Sequence, residues 1–600
     1  MKTVLDRVKQ YRFWLTPLIG AVSSLGFAPY NLWLLTIAAF ALFIHLLAGV
    51  QSRKAALALG WLFGVGHFTV GNDWIAVAFT FQAAMPVWLG YFAVILLALY
   101  LAVFPAIAAM AAWTIGDLVR QRGANSTIPF VLAFAAMWII TEWLRSWVFS
   151  GFAWNPLSAV TLSAGAGFTG AGGAMRTIGS YGMSGFVVLT SAVIWGLCAA
   201  IIHQSGKAVF ARLLDLALIA LAASLLAWAG AGSPLPRAAR PQAITITQPN
   251  ISQAEKYKPG YDAINFARLA KYGAPLAAAG GKGSGNIGPR LLLWPEAAIP
   301  DYLESGYPYR FYQFQTGESA VAARARLMPL LAKGDILITG GTKLEIDDRG
   351  QLVGARNSMI AMNDSGDIVG SYDKSHLVPY GEYLPMPWLL KPLGLARLVP
   401  GDLDFWPGPG AQTLKLGGAM PNVGFQVCYE IIFSGQVVDR ANRPDFIFNS
   451  SNDAWFGPSG PPQHLVQARM RAMEEGLPVI RATPTGISAV IDADGTVLSR
   501  IPLGQAGRID SILPAALGPT EREFEAAYGA RDIPVRRHDL AGARRRRLHA
   551  RAVRGRRKHV GRARAVEAEK LPAFSAGQAV AVRCEEAVYR QALCVVLGVV

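Results

Sequence analysis

The first 230 residues of the chain are dominated by long apolar runs, most of them close to the ~20 residues that an α-helix needs to cross a bilayer. Apolar residues make up 52% of the chain and charged residues only 16%, which is far from the balance of a soluble enzyme. The pattern predicts an integral membrane protein whose residues 1–235 form a bundle of about seven transmembrane helices. The predicted spans are residues 12–29, 32–49, 56–76, 84–113, 127–147, 184–202 and 211–230.

Basic residues in the short loops between these spans indicate the orientation of the bundle, because Lys and Arg near helix ends are retained in the cytoplasm. If the spans alternate from an inside N-terminus, the basic loops share one side and everything after residue 230 lies outside the cytoplasm. A cleaved signal peptide is the alternative for the first run, but no convincing A-x-A-like site follows it. The basic positions are Lys2, Arg7, Lys9, Arg12, Arg53, Lys54, Arg120, Arg122, Lys207 and Arg212.

A different pattern begins near residue 243. Six hundred residues are too many for one compact core, so at least two domains are expected. From "AITITQPN" onward, short β-rich runs such as "GDILITGGTKLE" and "PDFIFNSSND" alternate with amphipathic stretches. Interleaved strands and helices are typical of a layered α/β domain. We expect this domain to occupy residues 240–515.

The four cysteines are Cys198, Cys428, Cys584 and Cys594. They are widely spaced and form no CxxC pair or Cys/His cluster, so neither a disulfide framework nor a zinc site is indicated, and we expect no metal and no cofactor. Cys428 stands in "PNVGFQVCYEIIF", a run that otherwise reads as a buried strand. A thiol in that position is either a small packing residue or a nucleophile.

Three probable strands of the α/β region each end in a chemically useful side chain: Glu296 in "LLLWPEAAIP", Lys374 in "SYDKSHLVPYGEYLP", and Cys428. Taken singly, such a Glu or Lys is usually solvated and such a Cys is usually inert. Together they supply a base, a cation and a thiol. A thiol of ordinary pKa needs a carboxylate to accept its proton, and the oxyanion formed at an attacked acyl group needs a cation or N–H donors. The three residues therefore favour acyl transfer through a thioester.

Several segments resemble those of a known superfamily. "LLLWPEAAIP", "YDKSHLVPYGEYLP", "VCYEIIF" and "NSSNDAWFG" resemble, in order and spacing, the signature segments of the carbon–nitrogen hydrolase (nitrilase) superfamily. Within that superfamily, the membrane segments "GFAPYNLW" and "TEWLRSWVFSGFAWNPLS" are similar to those of the bacterial apolipoprotein N-acyltransferase family. The resemblance extends over roughly residues 10–515 and implies an extracytoplasmic, nitrilase-like αββα sandwich with a Glu–Lys–Cys triad.

The resemblance also implies a role for each matching residue. Glu296 corresponds to the general base, Lys374 to the lysine that stabilises the oxyanion, and Cys428 to the nucleophile that is acylated. The supporting residues are Glu382, Tyr429 and Glu430, and the substrate-binding residues are Tyr257, Asn452, Asp453 and Trp455. Two alternatives stay open. In the first, Tyr257, which stands where the family often has Trp, is a plain surface residue. In the second, the side chains of the Asn/Ser-rich loop form an Asx-turn network that holds the loop.

The function that the resemblance implies is acyl transfer between two lipids. A fatty acyl chain would move from a phospholipid, through a Cys428 thioester, to the N-terminal amine of a diacylglyceryl-modified apolipoprotein. The reaction would take place on the periplasmic side of the bacterial inner membrane, among membrane lipids and with no nucleic acid. The alternatives are a membrane-tethered amidase or nitrilase, in which water resolves the thioester, and a transporter or scaffold whose outer domain only binds a ligand.

The formal charge of +17 is concentrated near the end of the chain, because fourteen Lys/Arg and two Asp/Glu lie between Arg531 and Arg564. The resembled family usually closes with an eighth span, yet "CVVLGVV" at the end is too short to cross a bilayer. Dense positive charge outside the cytoplasm conflicts with the charge rule. We therefore expect residues 520–600 to be an atypical Arg-rich tail that is either disordered or the product of a frameshift.

Overall fold

The structure is a computed structural model that describes residues 10–81, 86–162, 174–202, 204–230, 241–256, 258–275, 288–315, 317–393 and 404–518. Tyr257 and the predicted tail at 520–600 lie outside the described residues. The described residues up to Gly518 belong to one compact unit. Within that unit, an N-terminal helical bundle packs against an α/β region.

Each of the seven predicted spans overlaps a helix of the bundle. Among the described residues, four helical segments are long and apolar enough to cross a membrane: Trp88–Gln121, Thr127–Arg145, Met175–Ile202 and Gly206–Trp228. The count of seven spans stays a prediction. The helices are α1 Arg12–Ser24, α2 Trp33–Ala48, α3 Arg53–Gly71, α4 Ile75–Ala78, α5 Trp88–Leu101, α6 Val103–Gln121, α7 Thr127–Arg145, α8 Met175–Ile202 and α9 Gly206–Gly230.

Two of these helices extend beyond the apolar runs that predict them. Helix α8 begins nine residues before the predicted start at 184, with a kink at Gly179, and α6 continues past the predicted end at 113. The additional turns carry polar residues that have partners in the fold. Ser180 donates to Glu474 of the α/β region, and Asp117 pairs with Arg120 one turn away. An apolar run therefore underestimates a helix whose polar residues are paired.

Glycines allow α1 and α3 to pack backbone against backbone. A Cβ at Gly20 would lie 2.0 Å from the carbonyl oxygen of Phe63, and a Cβ at Gly66 would lie 1.8 Å from that of Pro17. Both distances are far shorter than a van der Waals contact, so this packing excludes a side chain at either position. Close approach at small residues is a general way for helices to associate in membranes.

The α/β region contains two six-stranded sheets. Its strands are β1 Ala243–Gln248, β2 Arg290–Leu293, β3 Ile336–Ile346, β4 Leu352–Asn363, β5 Ile368–Asp373, β6 Thr413–Leu414, β7 Val423–Val427, β8 Phe446–Ser450, β9 Val479–Ala482, β10 Ser488–Ile491, β11 Val497–Ile501 and β12 Gly507–Ile512. The strand order is β12-β1-β2-β3-β4-β5 in the first sheet and β11-β10-β9-β8-β7-β6 in the second. The helices are α10 Gln253–Lys256, α11 Asp262–Gly273, α12 Ala320–Leu327, α13 Pro387–Leu390 and α14 Gly460–Glu475.

The two sheets pack face to face because their side chains alternate between two environments. Leu291 and Leu293 of β2 share one core with Phe425 of β7, whereas Leu292 between them packs with Leu269 of α11. This alternation follows from the period of two residues along a strand. Helices cover the outer face of the first sheet, and α14 covers the second. The predicted αββα sandwich is confirmed.

Helix α14 is buried on two sides. Ala468 and Ala472 belong to the hydrophobic cluster that contains the second sheet, whereas Val466, Met470 and Met473 belong to the hydrophobic core of the bundle. The helix therefore lies between the second sheet and the N-terminal helices. This contact brings the strand ends of the second sheet close to the bundle.

Candidate active site

Cys428 lies at a sharp turn at the end of β7. The residue adopts φ +53°, in the left-handed region that residues with a side chain rarely occupy. The chain then enters a short 3₁₀ helix, Cys428–Ile432. Strained backbone of this kind costs about 1–3 kcal/mol, persists only where its surroundings fix it, and is concentrated at functional sites. The thiol is thus held at the carboxyl end of the strand, with only 5% of the residue exposed.

Glu296 follows β2 and is held by two donors. Its Oε2 accepts a hydrogen bond of 2.7 Å from the backbone N–H of Asn452, and its Oε1 accepts one of 2.7 Å from the side-chain amide of Asn357. The residue is buried. A carboxylate with both oxygens oriented in this way is suited to accept a proton from a neighbouring thiol.

Lys374 follows β5, and its ammonium group lies between two carboxylates. Its Nζ is 2.9 Å from Oε2 of Glu382 and 3.6 Å from Oε1 of Glu296, and the side chain is 1% exposed. Burial opposes the charge, but the two carboxylates outweigh it and raise the pKa of Lys374 well above its usual range. The ammonium group therefore stays protonated at neutral pH. It is a fixed positive charge beside the thiol.

The Cys428 thiol is protonated in the resting site. Burial and the Glu296 carboxylate raise the pKa of this thiol, although the charge of Lys374 opposes the shift. The sulfur is therefore not a preformed thiolate. It must lose its proton in order to act as a nucleophile, and the Glu296 carboxylate beside it is a candidate acceptor. The predicted base, cation and thiol thus meet at one place between the two sheets.

Asn357 is a member of this site that the sequence analysis missed. It lies on β4, and its side-chain amide donates to both Glu296, at 2.7 Å, and Glu382, at 2.9 Å. Its backbone carbonyl accepts a hydrogen bond of 2.9 Å from the N–H of Lys374. The signal in the sequence is an amide in the middle of the strand "LVGARNSMIAMN", where a half-buried polar group needs hydrogen-bond partners.

Glu430 connects the turn at Cys428 to the loop that carries Lys374. Its Oε2 accepts a hydrogen bond of 2.7 Å from the N–H of Val427. Its Oε1 accepts hydrogen bonds from the hydroxyl of Tyr372, the N–H and hydroxyl of Ser375, and the N–H of His376, at 2.7–3.0 Å. Through these hydrogen bonds, Glu430 holds the two loops together.

Tyr429 points toward the bundle. Its hydroxyl donates to the carbonyl oxygen of Gly151 at 3.1 Å, in the loop that follows α7. His376 contacts the same loop, with its Nε2 3.0 Å from the carbonyl oxygen of Ser150, and its ring stacks on Phe433 at 3.9 Å. The residues next to both Cys428 and Lys374 are therefore anchored on the helical bundle.

The polar loop after β8 contains the other predicted binding residues. Asn452 bonds Glu296 through its backbone and Gln253 through its side chain. Asp453 is almost completely buried, and Trp455 is half-buried, with its ring edge-to-face to Phe81 of the bundle at 5.5 Å. Asn452 thus holds the Glu296 carboxylate directly. The partners of Asp453 are Ser451, His464 and Arg481.

A cavity of about 320 Å³ opens beside Glu296. Its walls combine apolar and charged side chains, including Lys256, Asp262, Phe266, Leu269 and Thr342. Burial lowers the pKa of Lys256 to about 8, although the charge of Glu296 opposes the shift. The cavity gives the triad an adjoining space of ligand size.

Comparison with known proteins gives the family. Residues 250–517 match the carbon-nitrogen hydrolase family, and residues 19–193 match the apolipoprotein N-acyltransferase N-terminal domain. The chain is 33% identical over 516 residues to the apolipoprotein N-acyltransferase of Rhodopseudomonas palustris, covering 84% of this chain and 89% of the relative. It is 35% identical to that of Bradyrhizobium diazoefficiens, with the same coverage. The chain belongs to the apolipoprotein N-acyltransferase family.

Among solved structures, Nit3 of Saccharomyces cerevisiae, a member of the nitrilase superfamily, aligns with a TM-score of 0.32 and 19% identity, covering 50% of this chain and 98% of Nit3. As a member of the apolipoprotein N-acyltransferase family, the chain is a membrane-bound acyltransferase of the carbon–nitrogen hydrolase superfamily. The resemblance read from the sequence motifs is therefore confirmed.

Proposed function

We propose that this acyltransferase moves a fatty acyl chain from a phospholipid, through a thioester on Cys428, to the α-amine of the diacylglyceryl-cysteine of an apolipoprotein. The names of the relatives and the Glu296–Lys374–Cys428 arrangement support this proposal. The basic loops of the bundle support a location in the bacterial inner membrane with the α/β region on the periplasmic side. In this proposal, residues 1–235 form the membrane domain and residues 240–515 the catalytic domain.

The first half-reaction forms the thioester. Glu296 accepts the thiol proton as the sulfur of Cys428 attacks the ester carbonyl carbon, which gives a tetrahedral intermediate. Lys374 stabilises the negative charge on the former carbonyl oxygen. The carbon–oxygen bond then breaks, and Glu296 returns the proton to the departing alkoxide. The products are the acylated cysteine and a lysophospholipid.

The second half-reaction transfers the acyl group to nitrogen. The free α-amine of the acceptor attacks the thioester carbonyl, Glu296 accepts a proton from that nitrogen, and Lys374 again faces the oxyanion. The carbon–sulfur bond breaks, and the thiolate takes the proton back from Glu296. The products are an amide and the free thiol, so the triad is restored for another cycle.

One observation carries the preference for lipid substrates: the turn at Cys428 rests directly on the apolar bundle. Tyr429 and His376 bond carbonyl groups of the loop after α7, and α14 shares the hydrophobic core of the N-terminal helices. Such contacts suit a donor and an acceptor that both stay anchored in a bilayer. Glu382, Asn357 and Glu430 hold the triad in this proposal, and Tyr257, Asn452, Asp453 and Trp455 are its candidate binding residues.

The test is mass spectrometry of the detergent-purified protein after incubation with a diacyl phospholipid. We expect one acyl adduct on Cys428 in the wild type and none in Cys428→Ser. Cys198→Ser is the matched control, because Cys198 is an exposed free thiol outside the site and its loss should leave the adduct unchanged. A wild-type protein without an adduct would reject the first half-reaction.

The acceptor distinguishes the acyltransferase from the hydrolase alternative. Adding a diacylglyceryl-cysteine peptide with a free α-amine should discharge the adduct and produce an N-acylated peptide. The same peptide with an acetylated α-amine should leave the adduct in place. Release of free fatty acid at one rate with either peptide would instead indicate a membrane-tethered amidase or nitrilase, in which water resolves the thioester.

A further inference from the structure

A buried imidazole lies behind the nucleophile. His464 of α14 is fully buried, and its Nε2 lies 3.1 Å from the carbonyl oxygen of Cys428. Because a carbonyl oxygen can only accept, Nε2 carries a proton and donates it. The other ring nitrogen, Nδ1, lies 3.0 Å from Oδ1 of Asp453 and 3.0 Å from Nη2 of Arg481. The ring is therefore fixed at both nitrogens.

Two charged groups hold the other side of the ring. Nδ1 faces both Oδ1 of Asp453, which can only accept a hydrogen bond, and Nη2 of Arg481, which can only donate one. Arg481 is itself held by Asp453 and by Asn449 of β8. Whether or not Nδ1 also carries a proton, the partner of Nε2 is a carbonyl oxygen, so Nε2 donates to Cys428.

That hydrogen bond also orients the N–H of Tyr429. The carbonyl of Cys428 and this N–H belong to one trans peptide group, in which C=O and N–H point in opposite directions. With the carbonyl directed at α14, the N–H is directed away from α14. Tyr429 is the second residue of the 3₁₀ helix, where the N–H groups lack an acceptor within the helix. The helix thus leaves a backbone donor next to the nucleophile.

We propose that His464 is a positioning residue: by holding the Cys428 carbonyl, it aims the N–H of Tyr429 at the oxyanion of the tetrahedral intermediate, on which Lys374 also acts. This inference rests on the proposed thioester chemistry. Two preorganised donors would then face the developing charge, one ammonium group and one backbone N–H. Asp453 and Arg481 act one step further away, since they hold His464.

Aromatic residues of the N-terminal region pack against the His464 ring. The ring of Trp154, from the loop after α7, lies 5.2 Å from the imidazole, and its Nε1 donates to Gln463 at 2.7 Å. Trp74 packs against Trp154 at 4.4 Å between ring centroids. Aromatic side chains from the N-terminal helices and their loops thus cover the imidazole and keep water away from its hydrogen bond to Cys428.

The test compares two reactions of Cys428 in full-length protein. Acylation by p-nitrophenyl acetate passes through an oxyanion, whereas alkylation by iodoacetamide does not. In His464→Met, which fills the space but has no donor, we expect the acylation rate constant to fall by about 10- to 10²-fold. Alkylation should change by less than about threefold, because the thiol and its base remain in place. His464→Gln, whose amide can donate at a similar reach, should restore most of the acylation rate.

Gln467→Met is the matched control, because Gln467 is buried on the same helix and its side-chain amide has no hydrogen-bond partner within the described part of the chain. It should leave both rates unchanged. Equal losses of acylation and alkylation in His464→Met, or no loss in either, would overturn the proposal. So would a folded His464→Gln that acylates as slowly as His464→Met. Failure of the wild type to accept phospholipid, while it still accepts p-nitrophenyl acetate, would instead reject the proposed donor and leave this comparison valid.

Discussion

Glu296 and Glu382 share one donor, the side-chain amide of Asn357, at 2.7 and 2.9 Å. The two carboxylates are buried and of like charge, and they lie close together because Asn357 and Lys374 stand between them. A side chain at position 357 with acceptor oxygens and no N–H group would lose both of these hydrogen bonds. The site therefore depends on an amide that takes no direct part in the chemistry.

Asn357→Asp should slow thioester formation by about 10- to 10²-fold, a part of the 10²–10⁴ that a positioned base contributes. The new carboxylate removes the donor and adds a third like charge, which disfavours the ionised base. Single-turnover acylation followed by mass spectrometry measures the effect. Asn363→Asp is the control at the end of the same strand. Its Oδ1 accepts hydrogen bonds from the N–H groups of Ser365 and Asp367, as a carboxylate also can, and the bond that its amide donates to Asp367, at 3.5 Å, is exposed and outside the site. Equal rates in Asn357→Asp and the wild type would contradict the prediction.

Glu296→Gln should slow thioester formation by about 10²–10⁴, because it keeps the shape of the side chain and removes the proton acceptor. The amide oxygen can still accept the hydrogen bond from the N–H of Asn452, so the protein should fold and melt near the wild-type temperature. Rapid-quench acylation with phospholipid is the measurement. Acylation at the wild-type rate would show that another group is the base.

Lys374→Met should lower the acylation rate constant by about 10²–10³, the usual cost of losing one oxyanion donor. The methionine keeps much of the apolar stem, so phospholipid binding should change much less than turnover. Equilibrium binding and single-turnover rates, measured on the same preparation, separate the two effects. Weaker binding with a normal single-turnover rate would make Lys374 a headgroup contact instead of an oxyanion donor.

The reactivity of Cys428 should rise with pH beyond the point at which an ordinary thiol levels off, about pH 8.5. Burial and the Glu296 carboxylate raise the pKa of this thiol, and Lys374 opposes them. Removing the carboxylate in Glu296→Gln should shift the profile to lower pH, and removing the cation in Lys374→Met should shift it to higher pH. Iodoacetamide alkylation at a series of pH values measures the profiles. A wild-type plateau at or below pH 8.5 would refute this prediction.

The orientation of the bundle can be tested by labelling with an impermeant thiol reagent in cells stripped of their outer membrane. Ser365→Cys, at an exposed turn of the α/β region, should be labelled in intact cells. Arg122→Cys, exposed in the loop between α6 and α7, should be labelled only after the inner membrane is broken. Peptide mapping separates these labels from those of the native cysteines. The reverse result would place the α/β region in the cytoplasm and reject the proposed lipoprotein acceptor.

The triad could be predicted from the sequence because Glu296, Lys374 and Cys428 each follow a short apolar run with clear ends. Such runs become strands. The strands before Glu296 and Lys374 belong to the first sheet and the strand before Cys428 to the second, so the three residues meet because the two sheets pack face to face. The contacts of Asn357 with Glu296 and of His464 with Cys428 could not be predicted in this way. Asn357 is a polar residue inside a strand, and His464 lies within a helix that carries several other polar residues. Only the folded chain shows which of these polar groups face the triad.

The predicted binding residues illustrate a second limit. Asn452 reaches Glu296 through its backbone N–H, a group that every residue except proline carries, so the side chain gives no signal of this contact. The burial of α14 could not be predicted from the sequence either, because charged residues such as Arg469 and Arg471 usually lie on an exposed face of a helix. In the fold, Arg469 donates to the carbonyl of Leu162 and Arg471 to Ser180, both in the N-terminal region. Charged residues in a buried helix are paired, and the partners come from distant sequence.

The position of α14 between the second sheet and the bundle sets the height of the sulfur relative to the helices. Cys428 is tied to α14 through His464, and Tyr429 to the loop after α7, so the nucleophile cannot descend toward the lipid without breaking these contacts. In the proposed reaction, the sulfur therefore stays in place, and the ester group of the phospholipid donor moves to it.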